Sequence, residues 1–112
     1  MPYINIASNT PIGAEKREAI KARLGKDIGI LGKSEMWLMV DFRENSPIYF
    51  NGTSGPAAIA DVDLLGAAKA DAYNKFTAAV TELIYKELDI PADRIYVKYA
   101  EYKHWGLNGA NF

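Results

Sequence analysis

Apolar and polar residues alternate from the start of the chain. In residues 3–7, Tyr3, Asn5 and Ala7 fall on one side and Ile4 and Ile6 on the other, which predicts a strand. Ser8-Asn9-Thr10-Pro11 then reads as a turn and helix entry, because proline is tolerated in a first helical turn. Over residues 13–31 the period lengthens. Ile20, Leu24, Ile28 and Leu31 recur at spacings of four, four and three, one apolar stripe of a helix that Gly32 is placed to cap. Residues 36–42 return to alternation, with Trp37, Met39 and Asp41 on one face and Met36, Leu38, Val40 and Phe42 on the other. A polar break at 43–47 and a short apolar run, Ile48-Tyr49-Phe50, lead to the strongest turn signal, Asn51-Gly52-Thr53-Ser54-Gly55-Pro56. The apolar run reads as a hairpin arm.

The same order then repeats. A third strand over 57–64 sets Ile59, Asp61 and Asp63 against Ala60, Val62 and Leu64. A second helix over 68–88 carries Tyr73, Phe76, Val80, Leu83, Ile84 and Leu88 as its apolar stripe. Asp89-Ile90-Pro91 ends it, since a residue before proline disfavours helix, and a fourth strand follows over 95–99. Two βαβ units result, each expected to pair its strands in parallel. Joined in one sheet, they give an α/β fold: a four-stranded mixed sheet with both helices on one face, in a single domain over 1–112. The other face needs a cover, for which a partner subunit is the obvious candidate.

Composition narrows the function. A formal net charge of −1 gives no general attraction to nucleic acid or an anionic membrane. With no cysteine, disulfides, thiol catalysis and thiolate metal sites are excluded, and one histidine, His104, cannot build a multi-histidine site. Asp61 and Asp63 share a face but lack a third ligand, so no metal or other cofactor is expected. No stretch reads as a signal peptide or membrane span, which fits a cytoplasmic protein. Asn51-Gly52-Thr53 has the glycosylation pattern but reads better as a turn.

One candidate for chemistry stands at the beginning. Pro2 follows Met1, and methionine is commonly trimmed before a small residue. A trimmed chain would begin with a secondary amine that titrates not far above neutrality. Burial or a nearby cation lowers such a pKa further, leaving a neutral amine able to take and return a proton. Most Met-Pro beginnings carry no chemistry, so this one needs support from the rest of the chain.

That support is a resemblance spread over nearly the whole length. Met1-Pro2 before an apolar strand, Gly32-Lys33 after the first helix, the 51–56 turn, Leu64-Leu65-Gly66 before the second helix, Ile90-Pro91-Ala92-Asp93-Arg94-Ile95-Tyr96-Val97, and the closing Trp105-Gly106-Leu107-Asn108 with Phe112 occur in order. Together they resemble the tautomerase superfamily, in its branch of macrophage migration inhibitory factor and D-dopachrome tautomerase. The resemblance implies a homotrimer whose sheets surround a channel, with sites at the subunit interfaces. It implies that Pro2 shuttles a proton between carbon and oxygen of a small aromatic α-keto acid of the phenylpyruvate type. Lys33 matches a lysine that binds the substrate carboxylate, the Leu65 N–H a donor to the substrate, and Tyr96 a pocket tyrosine supplied by a neighbouring subunit.

The chain also departs from that pattern. Lys98 stands where the better-known animal members have asparagine, and it alternates onto the same strand face as Tyr96. A second cation there would tighten carboxylate binding and lower the Pro2 pKa, or select a different anion. Trp37 falls at an aromatic rim position often held by tyrosine, and Leu107 at one held by tryptophan. Tyr3, Trp37 and Phe112 are expected to wall the pocket around a ring. Residues 57–60 replace a cysteine-containing segment, which removes any thiol-redox activity. The expected function is therefore a cofactor-independent keto–enol tautomerase. The alternative is a cytokine-like binding protein, exported without a signal peptide as animal relatives are, with a host receptor as partner. A blander third reading is a ferredoxin-like regulatory domain that shares only the element order.

Overall fold

A computed structural model describes residues 1–112. Its strands are β1 (Pro2–Ser8), β2 (Met39–Arg43), β3 (Ala58–Leu65) and β4 (Ile95–Tyr102), and its helices are α1 (Ala14–Asp27) and α2 (Ala70–Leu88). The sheet order is β2-β1-β3-β4. β1 pairs in parallel with β2, setting Ile4 beside Val40, and antiparallel with β3, setting Ile4 beside Val62. β3 pairs in parallel with β4, setting Ala60 beside Val97. This is the expected mixed sheet of two βαβ units.

Both helices cover the face that the alternation marked as apolar. Ile4 and Ile6 of β1, Ala60, Val62 and Leu64 of β3, Ile20 and Leu24 of α1, and Phe76, Val80 and Ile84 of α2 are all buried in one cluster. Each large side chain so buried contributes about 1.5–3 kcal/mol, the main term holding helices to sheet. The opposite face carries Tyr3, Asn5, Asp61, Asp63, Tyr96 and Lys98, and neither helix packs on it. Ser8 is the one buried polar residue, satisfied by the Thr10 hydroxyl at 2.7 Å and the Thr10 N–H at 2.9 Å.

The boundaries differ from expectation in four places, each with a local cause. The first helix tightens after Asp27 into a 3-10 turn, Ile28–Leu31, which Gly32 closes in a left-handed conformation at φ 72°. The second strand begins at Met39, not Met36. The Ser34 hydroxyl accepts the Met36 N–H at 3.2 Å and starts a 3-10 turn, Glu35–Trp37, where extended pairing was expected. The hairpin arm at 48–50 reduces to a single bridge, Phe50 with Thr53, across Asn51 and Gly52 in left-handed conformation. At the end of the chain, β4 runs on to Tyr102. A small hairpin then follows, β5 (Gly106–Leu107) with β6 (Ala110–Asn111), turned by Asn108 and Gly109 at positive φ.

Two side chains fasten the long 44–57 connection. The Asn9 side-chain amide donates to the carbonyls of Ile48, Ser54 and Gly55, and its oxygen accepts the Ala57 N–H at 2.8 Å. Arg94 donates to the carbonyls of Phe50, Thr53, Gly55 and Pro56 and lies 5.3 Å from the Phe50 ring centroid.

Candidate active site

A cavity of about 510 Å³ opens where the start of β1, the Glu35–Trp37 turn and the C-terminal hairpin meet. Pro2 and Tyr3 contribute the strand end, Met36, Trp37, Leu38 and Met39 the entry to β2, and Trp105 and Leu107 the tail. The wall is mostly apolar, with Asp63 from β3 as its one charged side chain. Trp105 is steadied by an edge-on contact with Tyr102, ring centroids 5.9 Å apart, and by its carbonyl accepting the Phe112 N–H at 3.0 Å.

Pro2 begins β1 opposite Leu64 and is buried. Beside it, the Leu65 N–H donates to the Met1 carbonyl oxygen at 2.9 Å. That oxygen marks the position of any acceptor that reaches this donor. The left-handed Gly32 turns the chain so that the Lys33 ammonium donates to the Leu65 carbonyl at 3.1 Å. Gly66 follows at φ 85°, a left-handed conformation that glycine adopts without strain. Burial, and secondly the Lys33 charge, hold the Met1 amine below the ordinary α-amino value. The N-terminal end of the cavity is thus a place where an amine loses its proton more readily than in water.

Tyr3 turns its hydroxyl away to Asp41, donating at 2.8 Å, and Arg43 donates to the same carboxylate at 3.0 Å. The Tyr3 hydrogen bond, then Arg43, holds Asp41 below the usual carboxylate range, and the same bond raises the Tyr3 phenol. Tyr3 therefore stays neutral at pH 7 and offers its ring to the cavity. Asp63 moves the other way: burial first, then the Asp61 charge, raises its carboxyl.

Of the residues singled out in the sequence, one chain brings together Pro2, Tyr3 and Trp37 at the cavity, with Lys33 and Leu65 at its N-terminal end. It does not bring Tyr96, Lys98 or Phe112 there. Tyr96 aligns with Ile59 and, through it, with Ala7, about 16 Å along β1 from Pro2 at 3.3 Å per residue. It is 60% exposed and packs edge-on against Phe50, ring centroids 5.0 Å apart. Lys98 shares the open sheet face with Tyr96 and pairs with Asp61 at 3.6 Å. Phe112 is exposed at the chain end. Sequence reading had passed over Met36, Trp105 and Asp63 as lining residues. Trp105 and Asp63 stood in segments already noted, the tail motif and the Asp61/Asp63 face, but their meeting at the cavity depends on the final hairpin and on the β1–β3 register. No group of three or more His, Cys, Asp or Glu side chains is placed to hold a metal ion.

The comparison with known families decides what this arrangement is related to. The family model of macrophage migration inhibitory factor matches residues 1–112. The chain belongs to the macrophage migration inhibitory factor family. Among curated proteins it is similar to the macrophage migration inhibitory factor homolog of Trichuris trichiura, 25% identical over 114 residues and covering 100% of both chains. It is also similar to D-dopachrome decarboxylase of Bos taurus, 26% identical over 108 residues, 96% of this chain and 92% of that one. Among solved structures, Leishmania major MIF2 superposes with a TM-score of 0.95 at 35% identity, over 100% of this chain and 97% of that one. The resemblance read from scattered motifs is thus carried by family match and fold alike. No helix is long and apolar enough to cross a membrane.

Proposed function

We propose that the chain is a cofactor-independent keto–enol tautomerase for an aromatic α-keto acid of the phenylpyruvate type, with Pro2 as general acid–base. The observation that carries this reading is the hydrogen bond from the Leu65 N–H to the Met1 carbonyl, with Lys33 alongside. Loss of Met1 would free two groups at one end of an apolar cavity, the Pro2 nitrogen and the Leu65 donor. The Met1 carbonyl oxygen stands in for an oxygen of the substrate. The factors that lower the Met1 amine, burial and Lys33, would then act on the Pro2 amine and leave it neutral at pH 7.

In the forward direction, the Pro2 nitrogen takes a proton from the carbon next to the ketone. The C–H electron pair forms the carbon–carbon double bond, the carbonyl π pair moves onto oxygen, and the Pro2 ammonium passes its new proton to that oxygen to give the enol. The reverse path returns a proton from the Pro2 ammonium to carbon. Lys33 holds the carboxylate, and the Leu65 N–H faces the oxygen on which charge develops, so that neither must reorganise during the transfer. Trp37, Tyr3 and their apolar neighbours receive the ring.

A homotrimer completes this reading. The second face of the sheet is not covered by the helices, and Tyr96, Lys98 and Phe112 do not line the cavity of their own chain. A neighbouring copy would bring them to it. The cytokine-like alternative, with a host receptor, draws on family membership and gains no particular residue here. The test is turnover of phenylpyruvate by the Met1-processed protein and its Pro2→Gly variant. General acid–base catalysis predicts a loss of at least about a hundredfold in the variant. Equal rates in the two proteins would move the chemistry off Pro2.

A further inference from the structure

Gly25 is buried in the interior of α1, a position where only proline is a poorer helix former than glycine. Its neighbour accounts for it. A Cβ built at Gly25 would overlap the Glu35 carboxylate and lie 3.0 Å from Glu35 Cγ, and the three atoms nearest to that Cβ all belong to Glu35. Glu35 therefore lies across the bare backbone of the helix. It also opens the Glu35–Trp37 turn.

That turn runs against its own sequence pattern, since the alternation over 36–42 favours a strand that begins at Met36. Short local bonds hold it. The Ser34 hydroxyl accepts the Met36 N–H at 3.2 Å, the Ser34 carbonyl the Trp37 N–H at 3.2 Å, and the Glu35 carbonyl the Leu38 N–H at 3.0 Å. Bonds of this kind on an exposed segment are a modest hold, and the contact with α1 adds to it. Met36 and Trp37 of the same turn line the cavity. We propose that Gly25 is a positioning residue for the cavity. By lacking a side chain it lets Glu35 lie on α1, which seats the turn and sets Trp37 against the substrate ring. The contact is made within one chain, on the helix side of the sheet, so a neighbouring copy over the bare face leaves it in place. The proposal deepens the tautomerase reading and rests on it only for the kind of ligand that meets Trp37.

The test is Gly25→Ala in the Met1-processed protein. Alanine is the better helix former, so Tm should stay level or rise while the site loosens, and lost stability is separated from lost positioning. In a Trp105→Phe background Trp37 is the sole tryptophan, and its quenching by acrylamide reports how open it is. Gly25→Ala is expected to raise that quenching and to weaken binding of the unreactive acid 3-phenylpropanoate, read by Trp37 fluorescence, about fivefold. The KM for phenylpyruvate should rise in step, with kcat held within about twofold. In the double variant Gly25→Ala/Glu35→Ala the carboxylate that the new methyl displaces is gone, and quenching, affinity and KM should return toward the native values. Unchanged quenching and affinity in Gly25→Ala would overturn the proposal: the carboxylate would then have swung into the groove between α1 and β2 without taking the turn along. A loss that persists undiminished in the double variant would overturn it too, and would place the fault in the helix. Quenching and binding need no turnover. The expected pattern in a protein inactive on keto acids therefore rejects only the catalytic reading, and turnover without the pattern rejects only the positioning role.

Discussion

At the scale of single residues, the chemistry turns on what surrounds one nitrogen. Burial and Lys33 both act against a proton at the N-terminal end of the cavity. For a base, disfavouring the charged form lowers the pKa, so the active neutral amine persists to lower pH. The kcat/KM for phenylpyruvate should therefore rise with pH and level off below the ordinary α-amino range of about 7.7–8.0. Replacing Lys33 by Met removes the positive charge, so the inflection should move up toward that range. The same change should raise KM about tenfold, because the carboxylate loses its charged partner. An inflection that stays in place in Lys33→Met would show that burial alone sets the Pro2 amine. The residues of this end were legible only in part. The free amine and its titration follow from Met1-Pro2, but nothing local in Lys33 or Leu65 announces a site. Their relevance came through resemblance, and their meeting depends on the left-handed turn at Gly32 and on the end of β3.

At the scale of elements, the period of the apolar pattern carried most of the fold. The strict alternation of β1 and β3 follows from burial on one face only, and the stripes of α1 and α2 follow from the same core. Where a side chain bonds to the backbone, the pattern misled. Ser34 turns residues 35–37 into a 3-10 turn, and it is this turn that delivers Trp37 to the cavity as β2 begins. The two-residue strands of the tail are too short to leave a period, so the hairpin that presents Trp105 and Leu107 was not visible as structure. The Arg94 clasp is a further element-scale device. Its guanidinium holds four carbonyls of the 50–56 turn and backs the Phe50 ring against which Tyr96 packs. Arg94→Ala should cost about 1–3 kcal/mol of stability, since one charged donor is lost from several half-buried acceptors. Amide exchange should quicken over residues 50–56 and stay unchanged in α1. Uniform quickening across the chain would mean that Arg94 supports the whole core and not this turn.

At the scale of the whole molecule, the sheet has one face dressed by helices and one bare. Tyr96 is exposed on the bare side, both outer edges of β2 and β4 lack a further strand, and neither Tyr96 nor Lys98 lines the cavity. Three copies arranged around the bare faces would cover them and carry Tyr96 toward a neighbour's Pro2. Sedimentation equilibrium should then report a particle of about three chain masses at micromolar concentration. A monomer would leave Tyr96, Lys98 and Phe112 without a role in the site and would restrict it to what one chain assembles. The most direct measurement is phenylpyruvate turnover by two matched preparations, one with Met1 removed and one with Met1 retained, each verified by intact mass. The account predicts activity only in the first, because in the second the Pro2 nitrogen is an amide and the Met1 carbonyl occupies the Leu65 donor. Equal turnover in both would contradict it.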